Sequence, residues 1–300
     1  SREILQKNRQ LINIQKNLEK KIVKRLKKLL KNDREKYIKF WKEFGVNLKY
    51  GVYDNFGLNK DLLKDLLLFE TVNEDNYVTL SEYVDKMPKD QKDIYFGSAN
   101  SKSAIKASPQ MDRLKSKGYD VLVLTDEIDE FMINVLTEYK KHKFKSINQG
   151  DLDLVDEKEK ESIKTLETKN KDLLEKIKES LKGQVDEVKL STRLTDSPVC
   201  LVSGEGMSFE MEKVMEQLPG DKKSNNNKAK KILEINPQHE LFQAINQLYK
   251  NNSTDLDDYA SVLYNQALLI EGLKIDDPVN YSNKMVKILV KAANKGESSE

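Results

Sequence analysis

Few residues of this chain have the chemistry to make or break bonds. Cys200 is the only cysteine and sits in the apolar run Val199-Cys200-Leu201-Val202, a setting that predicts a buried thiol rather than a nucleophile. A single cysteine forms no internal disulfide, which fits a reducing compartment. His142 and His239 are the only histidines, and no Cys/His/Asp cluster surrounds either of them. Zinc ligation and Ser-His-Asp catalysis therefore have no support. Gly204-Glu205-Gly206 lacks the third glycine of a dinucleotide fingerprint, and there is no Walker-type glycine loop. The chemistry that remains is apolar contact. Met207, Met211, Val214, Met215 and Leu218 form one helical stripe, preceded by Gly204 and Gly206 and followed by Pro219-Gly220. Methionines on one face give a soft, adaptable surface suited to many partners. The same spacing suits a core helix, so the pattern alone leaves both readings open.

The elements that must position these residues follow from periodicity. Residues 8–31 carry Leu11, Ile14, Leu18, Ile22, Leu26 and Leu29 as one apolar stripe, which predicts an amphipathic helix. A second helix is predicted over 34–56, with Tyr37, Phe40, Trp41, Phe44 and Leu48 as its core face, and a short helix near 59–66. Residues 67–72 read as a buried strand. Thr79 and Glu82 form a capping box, and Pro88 stops the helix they open. Strands over 93–96 and 119–124 alternate with helices from Pro109 to Gly118 and over 128–138, the rhythm of an α/β layer with a mainly parallel sheet. Residues 151–172 read as a charged linker running into a helix with Leu173, Leu174, Ile177 and Leu181. Strands are expected at 185–190, 199–202 and 232–235, and a polar loop over 221–230. Helices at 239–250, 255–271 and 278–294 close the chain, the last entered through Asp277-Pro278.

Three hundred residues suggest about two domains. No apolar run approaches the roughly 20 residues of a spanning helix, so no membrane partner is expected. The first fifty residues hold 16 basic and 5 acidic side chains although the chain's net charge is only +2. That excess offers an alternative function, a nucleic-acid-binding module through the basic 16–31 helix. No aromatic side chains interleave with its lysines, however, and single-strand binders need stacking platforms.

Several segments match a known family in order along the chain. They are Ser1–Gln6, Met87–Lys92 with Ile94-Tyr95, Gly118–Leu124 with Thr125-Asp126, Arg193–Pro198, Ile232–Pro237 with His239, and Tyr264–Leu269 with Glu271-Gly272. Together they resemble the ninety-kilodalton heat-shock chaperones, most closely the bacterial form. The resemblance implies a stress-response folding machine that binds unfolded or partly folded clients, with possible co-chaperones, in the cytoplasm. It also implies that this chain is the distal middle domain, 1–155, plus the C-terminal dimerisation domain, 156–300. The expected fold is a small α/β middle subdomain followed by an α+β domain whose last helices form a dimeric four-helix bundle.

On this reading the ATP-binding domain is absent. The fragment is then no enzyme and holds no cofactor, ATP and Mg belonging to the full-length protein. Arg2 and Gln6 match the family's catalytic-loop arginine, which reaches the γ-phosphate of ATP, and its supporting glutamine. Glu130, Phe131 and Asn134 match a client-binding corner, with phenylalanine in place of the usual tryptophan. The methionine stripe matches a client-contacting helix. Leu263, Ala267, Ile270, Met285, Ile288, Leu289 and Ala292 are the expected homodimer interface.

Overall fold

The computed structural model describes residues 9–217 and 228–296. Six strands hydrogen-bond in the order β2-β1-β4-β3-β6-β5 and three in the order β7-β9-β8. The strands are β1 Leu68–Thr71, β2 Val78–Thr79, β3 Ile94–Ser98, β4 Leu122–Leu124, β5 Glu138–Tyr139, β6 His142–Ser146, β7 Glu187–Leu190, β8 Val199–Ser203 and β9 Lys231–Ile235. The chain divides into two compact units that are interleaved in sequence: residues 9–94 with 124–144, and residues 95–123 with 145–296.

In the first unit, α1 (Arg9–Asn32) and α2 (Arg34–Gly57) are joined by Asp33, whose carboxylate accepts the Lys36 N–H at 3.1 Å. The α1 stripe is only partly used. Val23 and Leu26 are buried, whereas Leu11, Ile14, Leu18 and Ile22 stay exposed, because contacts with α2 and the following turn reach only the later part of the helix. The core face of α2 is Tyr37, Trp41, Gly45, Lys49 and Val52, three steps of four and one of three that leave Phe44 exposed and Leu48 half-buried. Helices α3 (Lys60–Leu63), α4 (Leu80–Lys86) and α7 (Asp129–Leu136) complete this unit. The expected capping box is present: Thr79 Oγ1 accepts the Glu82 N–H at 3.1 Å and Glu82 Oε2 accepts the Thr79 N–H at 2.7 Å.

The two outer pairs of the six-stranded sheet are antiparallel: β1 with β2, and β5 with β6 through Tyr139↔His142. The hairpin between β5 and β6 turns on Lys140 and Lys141, both with positive φ, 48° and 72°.

The second unit holds α5 (Lys102–Ala107), α6 (Asp112–Lys117), α8 (Glu157–Lys169), α9 (Lys171–Ser180), α10 (Phe209–Gln217), α11 (Glu240–Lys250), α12 (Leu256–Ile270) and α13 (Pro278–Gly296). Its three-stranded sheet pairs β7 with β9 parallel and β8 with β9 antiparallel. The expected charged linker is in fact largely α8. The Asp156 carboxylate caps it by accepting the Glu159 N–H at 2.8 Å, and Ile163 and Leu166 turn inward onto the core.

The expected domain architecture is corrected here. The units are interleaved rather than consecutive along the chain, and the closing helices belong to the second unit's own α/β core, not to a separate four-helix-bundle layer. Instead α12 packs on β8, α9 and α13, and Asp258 meets Lys284 (3.8 Å) and Lys287 (2.5 Å) while Asp255 meets Lys291. That order of pairs makes α12 and α13 an antiparallel hairpin. Its inner side chains Leu263, Tyr264, Ala267 and Leu268 are consumed by the unit's own core.

One buried ion pair organises this unit. Arg193 Nε and Nη2 donate to both Glu234 oxygens at 3.0 and 3.1 Å, and Nη1 donates to the Ile147 carbonyl at 2.8 Å. Nη2 also donates to the Gly150 carbonyl, and Ser191 Oγ donates to Glu234 Oε2 at 2.7 Å. Removing one partner leaves a buried charge uncompensated, so Arg193→Met is expected to lower unfolding free energy by about 3–5 kcal/mol in urea titrations. Replacing Glu234 by leucine as well should recover part of that loss.

A second, partly buried acid sets a pH dependence. Glu271, just after α12, accepts from Gln110 Nε2 and Asn148 Nδ2, both at 2.8 Å. Burial pushes its carboxyl up to about 7, against these two amides and Lys213. A carboxyl raised in the folded state contributes stability below its unfolded value, and that contribution is lost as pH climbs to the folded value. Unfolding free energy from urea titrations should therefore fall between about pH 4.5 and pH 7, by no more than about 3 kcal/mol, and Glu271→Gln should flatten the profile.

Candidate functional surfaces

The first surface grows from the turn between β4 and α7. Asp129 Oδ2 accepts the N–H groups of Thr125 (3.1 Å) and Asp126 (3.0 Å), fixing the start of the helix. Its other oxygen meets Lys49 Nζ at 2.7 Å, and Asp126 meets the same ammonium at 2.7 Å. Lys49 also lies 5.8 Å from the centre of the Trp41 ring. Burial works against the Lys49 charge, yet the two carboxylates hold its pKa above the ordinary lysine value. Burial pushes the Asp129 carboxyl up, with Lys49 opposing. This lock ties α7 to α2. It buries Glu130, leaves Phe131 half-buried and exposes Asn134. The Phe131 ring meets Tyr53 edge-on, centres 6.0 Å apart. Of the three expected client residues, Phe131 and Asn134 therefore have faces toward solvent, while Glu130 turns inward.

The second surface is α10. Ser208 Oγ accepts the Met211 N–H at 3.0 Å at the helix start, and Gln149 Nε2 donates to the Gly204 and Gly206 carbonyls at 2.8 and 3.0 Å. The anchor of this segment is Phe209, which is buried and lies off the methionine stripe. Met207 packs partly against the core, and Met211, Val214 and Met215 are half-buried. Leu218 lies outside the described residues, as do Arg2 and Gln6.

The third surface is the outer side of the α12–α13 hairpin. Leu263 and Ala267 are buried within the unit. Ile270 is 51% exposed and Leu289 60% exposed. Met285 and Ile288 are half-buried and Ala292 is exposed. Sequence periodicity missed Leu269, Val279, Val286 and Val290, which are also more than half exposed. Leu269 and Ile270 border a cleft of about 370 Å³ with Pro109, Pro198, Val199, Ser197 and Gln266.

Polar groups capable of chemistry have structural partners. Cys200 is buried beside Glu234, and burial and that carboxylate push its thiol well up. His239 Nδ1 accepts the Leu241 N–H at 3.1 Å as the cap of α11, and His142 Nδ1 lies 2.7 Å from the Lys92 carbonyl. Among the described residues no group of three His, Cys, Asp or Glu could hold a metal ion, and no helix is long and apolar enough to cross a membrane.

Comparison with known proteins covers the whole sequence. The family model described as "Hsp90 protein" matches residues 1–300. Among curated relatives, "Chaperone protein HtpG" of Clostridium botulinum (strain Langeland) is 47% identical over 289 residues, covering 96% of this chain and 46% of the relative. The protein of the same name from Bacillus subtilis (strain 168) is 46% identical over 290 residues, covering 97% of this chain and 46% of the relative. The chain thus spans about half the length of the curated relatives it matches.

These findings correct the finer expectations. The family model matches residues 1–300 of this chain, and the relatives are matched over 46% of their own length; the assignment to the distal middle and C-terminal domains, with the ATP-binding domain absent, is withdrawn. The statements that the chain is no enzyme and that it takes no cofactor rested on that assignment and are withdrawn with it. With the match over residues 1–300 and close to half of its residues identical to those relatives, the chain belongs to the Hsp90 family.

Proposed function

We propose that this chain works within a cytoplasmic molecular chaperone, supplying surfaces for non-native polypeptides and for self-association. The observation that carries this reading is the outer face of α13, where Val286, Leu289 and Val290, at steps of three and one, are each more than half exposed. An apolar face of that kind marks a contact surface. Its place on a helix already packed against α12 suits pairing with a second copy. The half-buried methionines of the α10 segment and the Phe131 corner then serve clients, because flexible thioether and aromatic side chains adapt to varied partners.

Self-association is tested by sedimentation equilibrium. The chain should be a dimer at micromolar concentration, and Leu289→Asp with Val290→Asp should give a monomer with an unchanged circular dichroism spectrum. A wild-type monomer would remove the pairing half of the proposal. Client contact is tested by light scattering of a heated, thermolabile test enzyme. Changing Met207, Met211 and Met215 together to serine should weaken suppression of aggregation while the melting temperature stays close to wild type. If stability collapses while suppression per folded molecule is unchanged, α10 is a core helix and not a contact surface.

A further inference from the structure

Glu271 joins three segments of the second unit through both of its carboxyl oxygens. It follows α12 directly. Oε2 accepts from Gln110 in the turn Pro109–Met111, and Oε1 accepts from Asn148 in the segment after β6. Neither amide can turn round without loss. Gln110 Nε2 also donates to the Leu201 carbonyl at 2.9 Å, while its Oε1 accepts from Ser108 Oγ. Asn148 Oδ1 accepts the Ser98 N–H at 3.2 Å. Each carboxyl oxygen therefore faces an N–H donor whose direction is set by a further partner. That arrangement suits a carboxylate, which only accepts. A carboxylic acid must also direct an O–H, so arrival of a proton weakens one of the two amide bonds. The side chain is half-buried, so solvent reaches it, and desolvation brings its titration to about 7.

The helix that feels this change is α10. Lys213 Nζ pairs with Glu210 at 2.6 Å and also lies against the end of α12, where a Cβ on Gly272 would be 4.0 Å from it. The Lys213 charge favours the Glu271 carboxylate and the Glu210 charge opposes it. The Cys200 thiol of β8 also faces Glu271, and the turn Pro109–Met111 and the segment after β6 meet it with neutral amides. Elsewhere α10 is fastened by the buried Phe209 at its start and by Glu212, which accepts the Ala229 N–H at 2.9 Å. Lys213 thus supplies the fastening that depends on charge.

We propose that Glu271 is a proton-operated latch for α10. As a carboxylate it gathers Gln110, Asn148 and Lys213 and seats α10 against the end of α12. As the acid it releases one amide and leaves Lys213 to Glu210 alone, so the helix loosens. The latch itself makes no demand on what α10 binds. Only its consequence, a methionine face presented differently on the two sides of neutrality, rests on the reading of that face as a client contact.

The native methionines report the state of the latch by NMR of the full chain, isotope-labelled at its methionine methyl groups. Between about pH 5.5 and pH 8.5 the Met211 and Met215 signals should follow one titration curve centred near 7, while Met87 and Met285 stay in place. Glu271→Gln should abolish that curve and hold both signals where the wild type has them at the acid end, because a neutral amide does not attract Lys213. Lys213→Met should flatten the Met211 and Met215 response while the pH dependence of urea unfolding persists, which shows that Glu271 still titrates. This second variant decides the matter if Glu271→Gln does not fold. Signals of α10 that ignore pH in the wild type overturn the proposal, as does a titration that survives Glu271→Gln or is unaltered in Lys213→Met. None of these readings involves aggregation of a test enzyme, so failure of the latch and failure of the client reading are separate results.

Discussion

The bidentate pairing of Arg193 with Glu234 is the constraint on which the second unit depends. Glu234 belongs to β9 and Arg193 to the loop after β7, so the pair links two strands and the loop that follows them. The same guanidinium reaches the carbonyls of Ile147 and Gly150, drawing the segment after β6 to this point. Around it the loop 193–198 is satisfied by neighbours. Asp112 accepts the N–H groups of Thr195, Asp196 and Ser197 at 3.3, 3.2 and 2.9 Å, and Asn236 donates to the Thr195 and Ser197 carbonyls. A buried ion pair adds little net stability against a well-packed apolar replacement. Its effect is specification: five donors and four lone-pair directions admit few arrangements of the segments that meet there.

The first unit uses a smaller version of the same device. Lys49, Asp126 and Asp129 bring a lysine of α2 against the first turn of α7, and this sets which residues of α7 face inward. Both units thus fix polar junctions inside and leave apolar side chains outside. The outside groups are not scattered singly, as on most soluble surfaces. They form rows on α1, along α2 toward Phe56, and on the α12–α13 hairpin.

Local signals were legible in the sequence because they depend on a few adjacent residues. The Thr79–Glu82 box, the left-handed Gly118 at the end of α6 and the Asp277 cap before Pro278 all stand where residue type places them. The hairpin between β5 and β6 was hidden because its turn uses Lys140-Lys141 where Asn-Gly is the usual signal. Helix α8 was hidden because Ile163 and Leu166 are almost its only apolar residues, and charge density masked them. Sidedness was harder still. Phe44 and Leu48 are as apolar as any core residue, yet α2 packs through Gly45 and Lys49, since close approach and a buried ion pair outrank hydropathy there. Likewise Leu263 and Ala267 face the unit's own sheet, and Glu130 turns inward, which periodicity alone does not distinguish from an outward face.

The position of Cys200 has a practical consequence. Its strand β8 pairs along its length with β9, and the sulfur sits beside Glu234 with no solvent access. A thiol that is both protonated and sealed reacts with a maleimide only when the two strands separate. Since the sequence contains no second cysteine, the rate of labelling is a built-in clock for the opening of that sheet, and a reporter cysteine placed anywhere on the surface would be modified long before it.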